Sequence, residues 1–185
     1  MLHMCTIYIE CKWKRKYTRR LYSSLQGAAC ALVQVRSVKL IGKGPAKHNS
    51  VDLVKISRKL VANLPELSVL HLENVAPKQD LYRVAKVLVG ATALSALTLR
   101  NCDGKSITGK FVKELGSLRA LTHFDISDTN VEHSCIVCLG CLSALTYLSL
   151  SLKEDMPLEV MESWMKYLSG LSTLTHLNLS GKATG

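Results

Sequence analysis

The phrase L-x-x-L-x-L recurs along this chain at Leu67/Leu70/Leu72, Leu94/Leu97/Leu99, Leu121/Phe124/Ile126, Leu145/Leu148/Leu150 and Leu174/Leu177/Leu179, and no other feature restricts the fold so narrowly. Successive copies start 27, 27, 24 and 29 residues apart. Self-similarity at a period of roughly 20 to 50 residues belongs to stacked supersecondary units, each unable to bury its apolar side alone. The chain is therefore a repeat array before it is anything else.

Between the phrases a second pattern holds from Val51 onward. Apolar residues recur at three-and-four spacing in Leu53, Ile56, Leu60 and Val61; in Leu81, Val84 and Leu88; and in Ile107, Phe111, Val112 and Leu115. The same spacing continues in Cys135, Ile136 and Leu139, and in Val160, Met161, Trp164 and Leu168. This predicts helices with one apolar face each. The phrase itself alternates, so Leu97 and Leu99 point to one side of a strand while Ala96, Thr98 and Arg100 point to the other. Each unit is then a strand, a turn and a helix. Stacking the units predicts an α/β solenoid of about five to six repeats, curved, with parallel strands on the concave face and helices on the convex face. Val35, Val38 and Leu40 imitate the phrase 32 residues before Leu67 and open the array, and Gly42 to Ser50 reads as a loop. The array occupies residues 31–185, with clear repeats from about 51.

With 48% hydrophobic residues the chain suits a packed core, but only 5% are aromatic, so Leu and Val supply most of the burial. The formal charge of +10 is unevenly placed. Residues 1–50 hold ten Lys and Arg against the single acid Glu10, whereas the repeats are nearly neutral. Residues 1–30 read as a basic N-terminal segment, weakly structured or an atypical cap. Lys12, Lys14, Arg15, Lys16, Arg19 and Arg20 alternate there with Trp13 and Tyr17, a composition that serves phosphates by charge and bases or headgroups by ring contact.

Seven cysteines, an odd number, follow no secretory signal, since Met1 to Glu10 carries no basic run ahead of its short apolar stretch. No stretch reaches the roughly 18 apolar residues a membrane helix needs. A reduced cytoplasmic chain, with the nucleus as the second compartment, is the expectation.

Leu94-x-x-Leu97-x-Leu99-x-x-Cys102 resembles the leucine-rich repeat consensus, whose ninth position is Asn or Cys. The repeat length with a full helix is similar to the ribonuclease-inhibitor-like subclass. The irregular periods, the phrases Leu-Ser-Ala-Leu-Thr and Leu-Ser-Thr-Leu-Thr, and Asp80-Leu-Tyr-Arg-Val-Ala-Lys86 resemble the sensor arrays of intracellular nucleotide-binding leucine-rich-repeat immune receptors. The ninth position departs from the pattern: it reads Val75, Cys102, Thr129, Lys153 and Lys182, so Cys102 alone supplies the group that bonds to the turn in that family. Lysines cannot be buried there without a partner, which predicts looser or re-registered turns in the last two repeats.

No residue set requires chemistry. Gly104-Lys-Ser106 has the end of a phosphate-binding loop, but the glycine needed five residues earlier is Leu99. Cys135, Cys138 and Cys141 have metal-ligand spacing with His133 as the one nearby fourth ligand, yet they occupy helix positions where other repeats place Leu and Val; core packing is the expectation, with no metal and no cofactor. His71, His123 and His176 fall on outward strand positions, and although Asp125 shares a face with His123, no nucleophile is fixed beside them.

The outward strand positions carry the functional content. They form three columns: Val69, Ala96, His123, Tyr147 and His176; His71, Thr98, Asp125, Ser149 and Asn178; and Glu73, Arg100, Ser127, Ser151 and Ser180. Mixed hydrogen-bonding and aromatic groups with few charges suit a protein or peptide partner. The candidate contact residues are His123, Asp125, Tyr147, Ser149, His176, Asn178, Thr98 and Arg100. The expectation is a non-enzymatic protein-interaction module with no small-molecule substrate, and the alternative is a basic adaptor tethered to nucleic acid or an anionic membrane through residues 12–20. The last phrase has no covering helix or polar cap after it, so the array reads as a piece of a longer one or as one that dimerises through that end.

Overall fold

The computed structural model describes residues 5–11, 35–44, 46–102, 107–152 and 157–181. The basic residues 12–20, the Gly104–Ser106 segment, Lys153 and Lys182 lie outside the described residues.

Each leucine phrase ends in a strand. The main sheet contains β1 (Cys5–Cys11), β2 (Val35–Gly42), β4 (Val69–Glu73), β6 (Ala96–Arg100), β7 (His123–Ile126), β8 (Tyr147–Leu152) and β9 (His176–Gly181), and a short pair is made by β3 (Ser50–Val51) and β5 (Ala76–Pro77). In the main sheet the spatial order follows the chain order, β1-β2-β4-β6-β7-β8-β9, and every pairing is parallel. Helices alternate with the strands: α1 (Leu53–Asn63), α2 (Leu81–Leu88), α3 (Gly109–Leu115), α4 (His133–Cys138) and α5 (Leu158–Ser169). Parallel strands sit about 4.8 Å apart and packed helices about 8–10 Å apart, so a stack with strands on one side and helices on the other must bend toward the strands. The fold is a curved leucine-rich repeat solenoid with its strands on the inside.

Register follows from the phrase. Leu70 pairs with Leu97, Leu97 with Phe124, Phe124 with Leu148 and Leu148 with Leu177. The first four of these side chains are wholly buried. Opposite them the helix stripes close the core through Ile56, Leu60, Val84, Leu88, Phe111, Val112, Leu115, Cys135 and Ile136. The Phe111 and Phe124 rings, one from a helix and one from a strand, stack at 6.3 Å. Asp52 starts α1 by accepting the amide of Lys55 at 2.9 Å, and Thr108 starts α3 by accepting that of Phe111 at 3.4 Å. On the convex side the Trp164 indole N–H donates to His133 Nδ1 at 3.0 Å and ties α5 to α4.

The opening phrase takes its place in β2, where Val35, Val38 and Leu40 are buried. Ahead of it β1 adds a strand that the leucine phrase does not announce, and Ile7 packs against the core. Among the described residues β9 is the last strand at the other end, and Leu177 keeps 43% of its surface exposed.

Truncating a phrase leucine removes a layer contact that two neighbouring units share. Leu97→Ala is expected to lower the unfolding free energy by about 2–5 kcal/mol, through lost burial and the cavity left behind, as measured by urea denaturation.

Candidate binding face

Two polar ladders hold the strand face in shape. The first lies at the second position of the phrase. Ser68, Ser95, Thr122, Thr146 and Thr175 each donate a side-chain hydroxyl to the carbonyl of the equivalent residue one unit back, at 3.1–3.2 Å; for Ser68 that residue is Arg36. The backbone amides of the same residues reach the same carbonyls at 2.8–2.9 Å. Each unit is thereby fixed to the one before it at the point where its strand begins.

The second ladder closes the strand ends. Asn74, Asn101 and Asp128 adopt left-handed φ values of 54°, 46° and 56°, which turn the chain out of β4, β6 and β7. Asn101 Nδ2 donates to Asn74 Oδ1 at 2.6 Å, and the buried Asn49 donates to the Asn74 carbonyl at 2.9 Å. Gly42 sits so close to Asn49 and the Asn74 carbonyl that a Cβ there would collide with both. The next position turns inward. Cys102 directs its thiol to the Leu72 carbonyl at 3.8 Å, and burial pushes that thiol up to about 12. Thr129 does the same work one repeat on: its hydroxyl donates to the Leu99 carbonyl at 2.6 Å and accepts the Cys102 amide at 3.1 Å. The restriction of this role to Cys102 is thus corrected, since a threonine hydroxyl reaches the same carbonyl. In β8 and β9 the strand continues through Leu152 and Gly181, which pair with each other where the earlier repeats turn.

The first two outward columns lie in the expected register, and of the third Glu73 pairs with Arg100 and Ser151 with Ser180. Val69, Ala96, His123, Tyr147 and His176 are successive pairing partners, as are His71, Thr98, Asp125, Ser149 and Asn178. The sheet extends them: Ser37 and Lys39 of β2, then Thr6 and Tyr8 of β1, continue the two columns. His123 and Tyr147 stack at 5.6 Å with 17° between their planes, and Tyr147 and His176 follow at 6.4 Å and 32°. Thr122 Oγ1 lies 2.8 Å from His123 Nδ1, and Thr175 Oγ1 lies 2.9 Å from His176 Nδ1, so both imidazoles rest on the hydroxyl ladder. His123 and His176 are exposed and Tyr147 is half-buried.

The remaining candidates divide. Asn178 and Arg100 are exposed, and Thr98 is half-buried. Ser149 is 1% exposed, a correction to its expected role as a contact residue: the small side chain sits between Asp125 and Asn178 and is covered. Ser127, in the third column, is likewise buried, and it bonds the Asp125 carboxylate through both its amide and its hydroxyl. The other carboxylates described on this face are also matched, Glu73 with His71 at 2.9 Å and Asp128 with Arg100 at 3.4 Å.

The cysteine run does not converge. Cys135 is buried and its thiol is pushed up by desolvation, Cys138 is half-buried against the core, and Cys141 is exposed. Among the described residues no group of three or more His, Cys, Asp or Glu is placed to hold a metal, and no helix is long and apolar enough to cross a membrane.

No protein-family model matches the chain, and no curated protein does. Among solved structures it is similar to a chain of the TLR13-ssRNA13 complex, with 22% identity and a TM-score of 0.49 over 85% of this chain and 24% of that one. It is also similar to the LRR ectodomain of the plant membrane receptor kinase GASSHO1/SCHENGEN3 from Arabidopsis thaliana, with 15% identity and a TM-score of 0.35 over 93% of this chain and 23% of that one. The chain spans about a quarter of the length of each.

Replacing Thr129 by the isosteric Val strands the Leu99 carbonyl and the Cys102 amide. Thr129→Val is expected to cost about 1–3 kcal/mol in chemical denaturation. Among Cys102, Cys135, Cys138 and Cys141, iodoacetamide applied to the native protein should modify Cys141 first and leave Cys102 and Cys135 intact, as read by peptide mass spectrometry.

Proposed function

We propose that this chain is a non-enzymatic binding module that takes a protein or peptide partner on its concave strand face, centred on β7 to β9. One observation carries the reading: the row of rings His123–Tyr147–His176, stacked at the first pair and tilted at the second, presents aromatic and hydrogen-bonding edges in line, with Thr98, Arg100, Asp125 and Asn178 around it. Rings held by backbone ladders lose little conformational freedom on binding, which is why such residues anchor interfaces. Ser149, buried in the next column between Asp125 and Asn178, is left out of the contact set. The finer reading is the sensor part of an intracellular nucleotide-binding leucine-rich-repeat immune receptor, cytoplasmic in location; the phrases Leu94-Ser-Ala-Leu-Thr98 and Leu171-Ser-Thr-Leu-Thr175 support it.

The test is affinity capture with the double substitution His123→Ala, Tyr147→Ala, beside a convex-face control, Tyr82→Ala. The double variant should lose the captured partner while its melting curve stays close to that of the parent; undiminished capture overturns the concave-face reading. Capture that instead falls by about 0.9 log units per log unit of salt for each phosphate neutralised assigns the binding to nucleic acid on the basic residues 12–20.

A further inference from the structure

The two histidines of the aromatic row share an arrangement that the sequence does not show. Ser68, Ser95 and Thr146 set the pattern of the hydroxyl ladder: each side chain donates its single proton to the carbonyl one unit back. Thr122 and Thr175 make the same bond, at 3.2 and 3.1 Å, and each Oγ1 then has a lone pair facing an imidazole Nδ1 at 2.8 and 2.9 Å. The ladder is thus a ready acceptor for an Nδ1–H. The neutral Nδ1–H tautomer and the imidazolium both satisfy it on the inner side, and the imidazolium alone sends a second N–H, from Nε2, into the concave space. The charge is also placed against the Tyr147 ring, where a cation is favoured.

Charge accounting on the face points the same way. Glu73 is paired with His71 and Asp128 with Arg100, while the Asp125 carboxylate is turned to the amide and hydroxyl of Ser127 on its own strand end. The outward Nε2 atoms of His123 and His176 have no partner among the described residues. We propose that the β7–β9 half of the concave face receives a carboxylate-rich segment of a protein partner, whose carboxylates accept from Nε2–H of protonated His123 and His176 on either side of Tyr147, so that binding strengthens on acidification. The groups that face these imidazoles are few. Around His123 they are Asp125 on β7 and Tyr147 on β8, with uncharged Ala96 on β6; around His176 they are Tyr147 on β8 and Asn178 on its own strand.

This rests on the concave-face reading above and deepens it. The probes are three capped hexapeptides of Gly and Ser carrying two adjacent Glu, Gln or Lys residues, titrated into the full chain at about pH 5.5 and about pH 7.5, on either side of the imidazole range. Binding is followed by backbone amide and imidazole Cε1–H resonances. The Glu peptide is expected to shift His123 and His176 selectively and to bind roughly tenfold tighter at the lower pH, with little binding of the Gln and Lys peptides. His123→Gln, His176→Gln keeps an N–H donor but cannot take up a proton, and should bind the Glu peptide equally weakly at both pH values with an unchanged amide spectrum elsewhere. A Lys peptide that binds as well as the Glu peptide, a pH-independent parent, or tighter binding of an oligouridylate at the same resonances overturns the proposal. If capture fails in the His123→Ala, Tyr147→Ala variant but the Glu peptide does not bind, only the acidic preference falls; if capture persists, both readings fall.

Discussion

The spacing between parallel strands is the constraint on which everything else depends. Backbone hydrogen bonding sets that spacing near 4.8 Å, so whatever one unit places at a position of the phrase is met by the next unit's residue at the same position. Identical leucines then make identical layers, and a hydroxyl at the second position can always reach the carbonyl behind it. Ser68, Ser95, Thr122, Thr146 and Thr175 do so without exception. A chain of only 5% aromatic residues holds together because each small contact is repeated in phase rather than because any one is large.

The same constraint explains what the sequence discloses. Register was legible because the side-chain alternation of a strand and the fixed phrase leave one way to align Leu70, Leu97, Phe124 and Leu148, and the columns of outward residues follow without further information. β1 was not legible: Cys5 to Cys11 carries alternating isoleucines but no leucine phrase, and the helical pattern begins only after Val51, so a motif of one repeat length passes over it. Thr129 was misread for a different reason. The consensus names residue types, whereas the turn requires only a group small enough to be buried and able to meet the Leu99 carbonyl, and a hydroxyl meets that requirement.

Ser149 shows where column reading stops. Outward direction is a property of the strand, but exposure depends on the sizes of the neighbours, and a serine between an aspartate and an asparagine is overshadowed. The stacking of His123, Tyr147 and His176 lies on the favourable side of the same rule: three rings in register fill the row and keep one another upright. What the sequence supplied was their adjacency. The anchoring of the imidazoles to Thr122 and Thr175 is visible only in the fold, because the threonines belong to the repeated phrase and are indistinguishable there from their serine counterparts.

That double use separates this face from the usual division of a repeat into inward residues that stack and outward residues that recognise. At Ser68, Ser95 and Thr146 the hydroxyl has one duty, and any residue that keeps the bond keeps the repeat. At Thr122 and Thr175 the oxygen joins two units and also shares a hydrogen bond with the ring beside it, so stacking and recognition meet in one atom. A change at either threonine alters both the fit between repeats and the hydrogen bond to the adjacent histidine, while a change at the histidine itself leaves the ladder closed. The histidines are therefore the positions at which the face can vary without disturbing the array, and the threonines are where it cannot.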